Sequence, residues 1–132
     1  MRGEVTIFDL PDHGDLRGHS FTLPEQVLEF VGGVLDVHVA SMLAGAVRGN
    51  HYHLRRRDAI VLAHEGDCSV HWQNDENSEI RHRPLQGGGC QVVLVPPGAS
   101  HAVRNDSDHT LWLVAYSSQP YDPVETIARK II

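Results

Sequence analysis

The stretch Arg48-Gly49-Asn50-His51-Tyr52-His53-Leu54-Arg55-Arg56-Arg57-Asp58-Ala59-Ile60-Val61-Leu62 decides how this chain is read. Side chains alternate faces along a strand, so residues i and i+2 project together. One strand here therefore presents His51 and His53 side by side and turns Tyr52 to the opposite face, where it packs. Asp58 opens the next apolar run, and a carboxylate at that strand mouth can point back over the pair.

Working outward, short apolar or alternating runs recur at nearly regular intervals between Gly, Pro, Asn and Asp, which predicts strands throughout. They fall at residues 4–10, 19–23, 34–43, 49–53, 59–64, 68–73, 80–84, 91–95, 102–105 and 111–116. Residues 24–31 are the one helical stretch. Glu65-Gly66-Asp67 and Asn74-Asp75-Glu76-Asn77-Ser78 read as hairpin connections. Gly87-Gly88-Gly89 precedes no helix, so it is a bend and not a phosphate loop. Many short antiparallel strands without crossover helices predict an all-β jelly-roll barrel, which limits exposed sheet edges.

At 132 residues and 41% hydrophobic content the chain fits one domain, residues 1–132, with a core that needs no staples. It has no long apolar run, and its first residues lack the apolar region of a secretory signal, so a soluble cytoplasmic protein is expected. The formal charge of -6 argues against nucleic acid or an anionic membrane as main partner, since phosphate binding needs a basic footprint. Cys68 and Cys90 lack metal or redox spacing and are expected as packed thiols, with a disulfide between them left open. Arg55, Arg56 and Arg57 read as a solvated turn or an anion site. Trp72 and Trp112 are expected in the core.

A second histidine element follows in Pro96-Pro97-Gly98-Ala99-Ser100-His101, with Asn105 beyond it. Three imidazoles and one carboxylate would leave positions open on a divalent ion for water or substrate. Taken together, Gly49 to Asn105 resembles the paired motifs of the cupins, a glycine-led H-x-H with a carboxylate following, then P-x-G-x-x-H-x-x-x-N. The resemblance implies a double-stranded β-helix and a divalent metal, zinc, iron, nickel or manganese, held by His51, His53, Asp58 and His101. The family carboxylate is usually Glu, and the spacing from Asp58 to Gly66 is one residue longer than usual. Asp58 then either reaches the metal or orients an imidazole or a bound water.

Asp15-Leu16-Arg17-Gly18, Arg48-Gly49-Asn50-His51 and the closing Tyr121-Asp122-Pro123 resemble elements of cupins that isomerise or epimerise nucleotide-linked keto-sugars, and of the C-terminal cupin of capsular-polysaccharide nucleotide-sugar reductases. This implies His51 as a proton-abstracting base; the chemistry also needs an acid across the ring, for which Tyr116 or Tyr121 are suitable residue types. Arg17, Arg48 and Arg57 are candidate anchors for a small, polar, anionic substrate, with a structural ion pair at the barrel rim as the other reading of Arg17 and Arg48. His51 cannot ligate a metal and act as free base through one nitrogen. An iron-dependent dioxygenase and a non-catalytic ligand-binding module are the alternatives. A homodimer is implied by the habit of cupins to pair sheet to sheet and by the apolar segment 127–132. His13, His19, His38, His64, His71, His82 and His109 show no matching spacing and are read as surface or core histidines.

Overall fold

Alternation along one strand, Asp58–His64, sets the layering of the molecule. In the computed structural model, which describes residues 3–132, Ile60 and Leu62 point into a core between two sheets. Ala59 and Val61 point the other way, into a second core beneath a helix. A strand buried on both faces reads as a continuous apolar run, as Ala59-Ile60-Val61-Leu62 does. Met1 and Arg2, part of the stretch that lacks a secretory signal's apolar region, lie outside the described residues.

The elements in chain order are β1 (Thr6–Asp9), α1 (Glu25–Val31), β2 (Asp36–Met42), β3 (Val47–His53), β4 (Asp58–His64), β5 (Cys68–Gln73), β6 (Arg81–Leu85), β7 (Gly89–Val95), β8 (Ser100–Asn105), β9 (Leu111–Ser117) and β10 (Thr126–Ala128). They form two five-stranded sheets, β1-β7-β4-β9-β2 and β10-β3-β8-β5-β6, in which every pairing is antiparallel. This is the expected all-β jelly roll. Among the described residues no helix is long and apolar enough to cross a membrane.

Two strand expectations change. Residues 19–23 form no strand; Phe21 and Leu23 instead pack as an irregular segment against the core that α1 covers. A short strand, β10, forms where none was expected, because β3 supplies a free edge to Thr126, Ile127 and Ala128. That pairing also takes up the apolar end of the chain, since Asn50 Oδ1 accepts the N–H groups of Ile131 and Ile132. The segment 127–132 is thus folded back on its own barrel. Cys68 and Cys90 are free thiols in different cores, and burial pushes the Cys68 thiol up to about 12.

On the inner face of the first sheet the registers of β2, β9 and β4 build rungs. Asp36, Ser117 and Asp58 make one; His38, Ala115 and Ile60 the next; Ala40, Leu113 and Leu62 the third. Polarity falls from rung to rung, and Met42 and Leu111 close the stack inside the core. On the second sheet, β3 carries a bulge between Gly49 and His51 that brings His51 opposite His101.

Gly49 makes that approach feasible, since its φ is +106° and a Cβ there would lie 2.5 Å from the His101 carbonyl oxygen and 2.9 Å from the Ala102 Cα. Gly49→Ala is expected to destabilise the fold by more than about 2 kcal/mol, because neither backbone can give way. Chemical denaturation of the two proteins measures this directly.

Candidate active site

A cavity of about 530 Å³ opens between the sheets, and His51, His53 and His101 lie on its wall. The ring centroids are 4.8 Å apart for His51 and His101, 4.9 Å for His51 and His53, and 5.7 Å for His53 and His101. One nitrogen from each ring lies within 4.8 Å of the others, so the three are placed as a group that could hold a metal ion.

Their surroundings differ. His53 is buried, with Nδ1 3.1 Å from Glu125 Oε1 and from Thr126 Oγ1, and Nε2 3.2 Å from Asp58 Oδ2. Both of its nitrogens thus face carboxylates. His101 directs Nδ1 to the Ala99 carbonyl at 3.1 Å, which leaves Nε2 for the cavity. Neither nitrogen of His51 has a protein hydrogen-bond partner among the described residues.

Burial favours the neutral form of His51 and His101 and lowers both pKa values to about 4; for His51 the neighbouring His101 and His53 rings add to this, while for His101 the Ala99 carbonyl opposes it. Burial works against ionisation of Asp58, but hydrogen bonds from His53, Ser117 and Arg56 outweigh it and hold the carboxyl well below the usual range.

Asp58 sits over the histidine pair as the sequence suggested, but its Oδ2 is spent on His53 and its Oδ1 on Arg56 and Ser117. It falls outside the three-histidine group. Arg48 lines the cavity and donates Nε–H to the Ser41 carbonyl at 3.0 Å, leaving its terminal nitrogens without a partner among the described residues. Tyr121 stands on the rim, shared with an adjoining hollow of about 270 Å³.

The structure does not bring the other expected residues here. Tyr116 faces outward into the core under α1, because its strand parity is opposite to that of Ala115 and Ser117. Arg57 caps α1 instead, donating to the carbonyls of Phe30 and Val31. Arg17 is 91% exposed at the tip of a turn, paired with Asp15. Trp112, expected inside, is exposed on the outer face of β9.

Sequence reading also overlooked part of the wall. Arg56, expected in a solvated turn, is buried between Asp58, Ser117 and Asp36. Glu125 is buried and accepts the N–H groups of Arg55 and Arg56, each at 2.7 Å. No local signal marks Glu125. His38 lines the cavity and could have been found, since a strand was expected over 34–43 and its parity matches Ala40.

The family model described as polysaccharide biosynthesis C-terminal domain matches residues 13–127. No curated protein matches the chain. A mutant of the 3,4-ketoisomerase QdtA from Thermoanaerobacterium thermosaccharolyticum, solved in complex with TDP-4-keto-6-deoxyglucose, is similar at TM-score 0.72 and 14% identity, over 93% of this chain and 86% of that one. NovW, a 4-keto-6-deoxy sugar epimerase from Streptomyces spheroides, is similar at 0.75 and 18%, over 92% and 67%. The capsular polysaccharide assembling protein CapF from Staphylococcus aureus is similar at 0.66 and 21%, over 94% of this chain but only 33% of CapF. These likenesses establish a shared cupin-like fold.

The site makes stability depend on pH. His51 and His101 hold fewer protons folded than unfolded between about pH 4 and 6.5, so stability is full above 6.5 and falls as pH drops towards 4. For the fully buried His101 the loss is on the order of 3 kcal/mol, and for half-buried His51 it is less. Thermal melts of metal-free protein across this range are expected to show the decline, and His101→Gln should flatten it.

Proposed function

The chain belongs to the polysaccharide biosynthesis C-terminal domain family, and from that premise we propose that it is an isomerase or epimerase acting beside the carbonyl of a nucleotide-linked keto-sugar. The observation that carries this reading is His51. It is a neutral imidazole on the cavity wall with no hydrogen-bond partner for either nitrogen among the described residues.

The chemistry needs a base that meets a carbon-bound hydrogen made acidic by the adjacent carbonyl. His51 takes that proton, and the electron pair moves to the carbonyl oxygen to give an enolate. Arg48 presents free guanidinium nitrogens to the phosphates or another anionic part of the substrate, an interaction worth roughly 2–5 kcal/mol at a desolvated site. Tyr121 lies where the outer part of the substrate would pass. His101, held through Nδ1, offers Nε2 as a fixed acceptor for a sugar hydroxyl.

In deuterium oxide the protein should exchange a hydrogen beside the carbonyl of TDP-4-keto-6-deoxyglucose for deuterium. Proton NMR follows this, and His51→Asn should slow it at least about 100-fold. Wild-type protein that exchanges none would overturn the reading.

A divalent metal is the second reading, favoured by the convergence of three imidazoles. His51 and His101 fit as ligands because both are neutral and each has a nitrogen free. His53 does not fit as it stands, since either nitrogen would first have to leave a carboxylate. A bound ion would supply Lewis-acid polarisation of a substrate oxygen, and with iron the dioxygenase reading would apply. Elemental analysis after exposure to zinc, iron, nickel and manganese should find one ion per chain, lost in His101→Ala, if this reading holds. A homodimer also belongs with these proposals, supported by the exposed Val37, Val39 and Trp112 on the outer face of β2 and β9.

A further inference from the structure

An enolate formed on one face of a sugar ring by His51 needs a proton from somewhere, and the cavity wall facing His51 belongs to the first sheet. That wall carries three titratable groups: Asp36 and His38 on β2, and Asp58 on β4. Asp58 is bonded to Arg56, Ser117 and His53. Asp36 is paired with Arg56 at 3.5 Å. Among the described residues, His38 is the only one of the three without a protein hydrogen-bond partner. Directly across from it on β9 stands Ala115, and the next cavity-facing position on β2 is Ala40, so small side chains leave room around the ring.

We propose that His38 is the second catalytic residue, donating a proton to the face of the sugar opposite His51, and that the reaction is therefore epimerisation. This rests on the keto-sugar reading above. Facing sheets lie roughly 10 Å apart, which accommodates a pyranose ring with an imidazole reaching from each side. The step balances: His51 takes the proton from the carbon beside the carbonyl, the electron pair passes to oxygen as the enolate, and the pair then returns to the same carbon to take a proton from His38. The configuration inverts, and no oxidant or reductant is consumed. The reverse reaction exchanges the two roles. Tyr121 is less suited to the part, because it stands at the rim outside the strands, whereas His38, although also exposed, sits on a strand of the cavity wall.

The test follows TDP-4-keto-6-deoxyglucose by NMR in deuterium oxide with wild type, His38→Asn and His38→Gln. Wild type should place deuterium at the inverted centre of the product. Both His38 variants should keep their melting temperature and their affinity for TDP, and lose epimer formation at least about 100-fold. They should still wash deuterium into unreacted substrate with its configuration retained, because His51 can remove and return hydrogen on its own face. A merely structural role for His38 would not separate exchange from inversion. Epimer formation by both variants at the wild-type rate overturns the proposal, as does a wild-type product in which the carbonyl has migrated. Absence of any exchange in wild type overturns the keto-sugar reading and this inference with it.

Discussion

A buried ionic network ties the site together. Arg56, Asp58 and Glu125 are each below a tenth exposed, and His53 lies between the two carboxylates. Removing one partner from such a network strands a charge in a poorly solvating interior, at a cost of roughly 3–5 kcal/mol. The groups come from the end of β3, the loop after it, the start of β4 and the C-terminal segment, with Ser117 from β9 completing the set. Each of these segments is held in place by charges it must satisfy. The four-residue connection from β3 to β4 is ordered less by its own turn chemistry than by Glu125, whose carboxylate accepts two of its N–H groups and whose main-chain carbonyl accepts a third, from Leu54.

That network also divides labour among the histidines. It absorbs His53, which supports structure through both nitrogens, and leaves His51 and His101 neutral and open to the cavity. Three rings that look equivalent by spacing are therefore unequal in chemistry. The same grading runs down the first sheet. Ser117 and Asp58 of the first rung are engaged in internal bonds and Asp36 meets Arg56, the next rung carries His38 beside Ala115 and Ile60, and the Ala40 and Leu113 rung is apolar. A polar substrate would meet His38 in the middle layer, beside the apolar Ala115 and Ile60.

The sequence by itself determined the architecture and the position of the three histidines. Alternation and turn residues are local signals, and they placed nearly every strand within a few residues, along with the face shared by His51 and His53. They failed where the cause was not local. Residues 19–23 alternate like a strand but found no edge to pair with, and Thr126–Ala128 became a strand only because β3 offered one.

The composition of the site around the histidines was decided by tertiary structure alone. Arg56 and Arg57 are sequence neighbours, yet one closes the ionic network and the other caps a helix, because the chain turns between them. Tyr116 and Ala115 differ by one position and so face different cores. Glu125 lies 72 residues from the His53 it holds, and His38 reaches the cavity through a β2–β9 pairing that no short-range pattern specifies. Local periodicity sets which way a side chain points along its own strand, but which groups it meets depends on strand order and register, and these are fixed only when the two sheets close on one core.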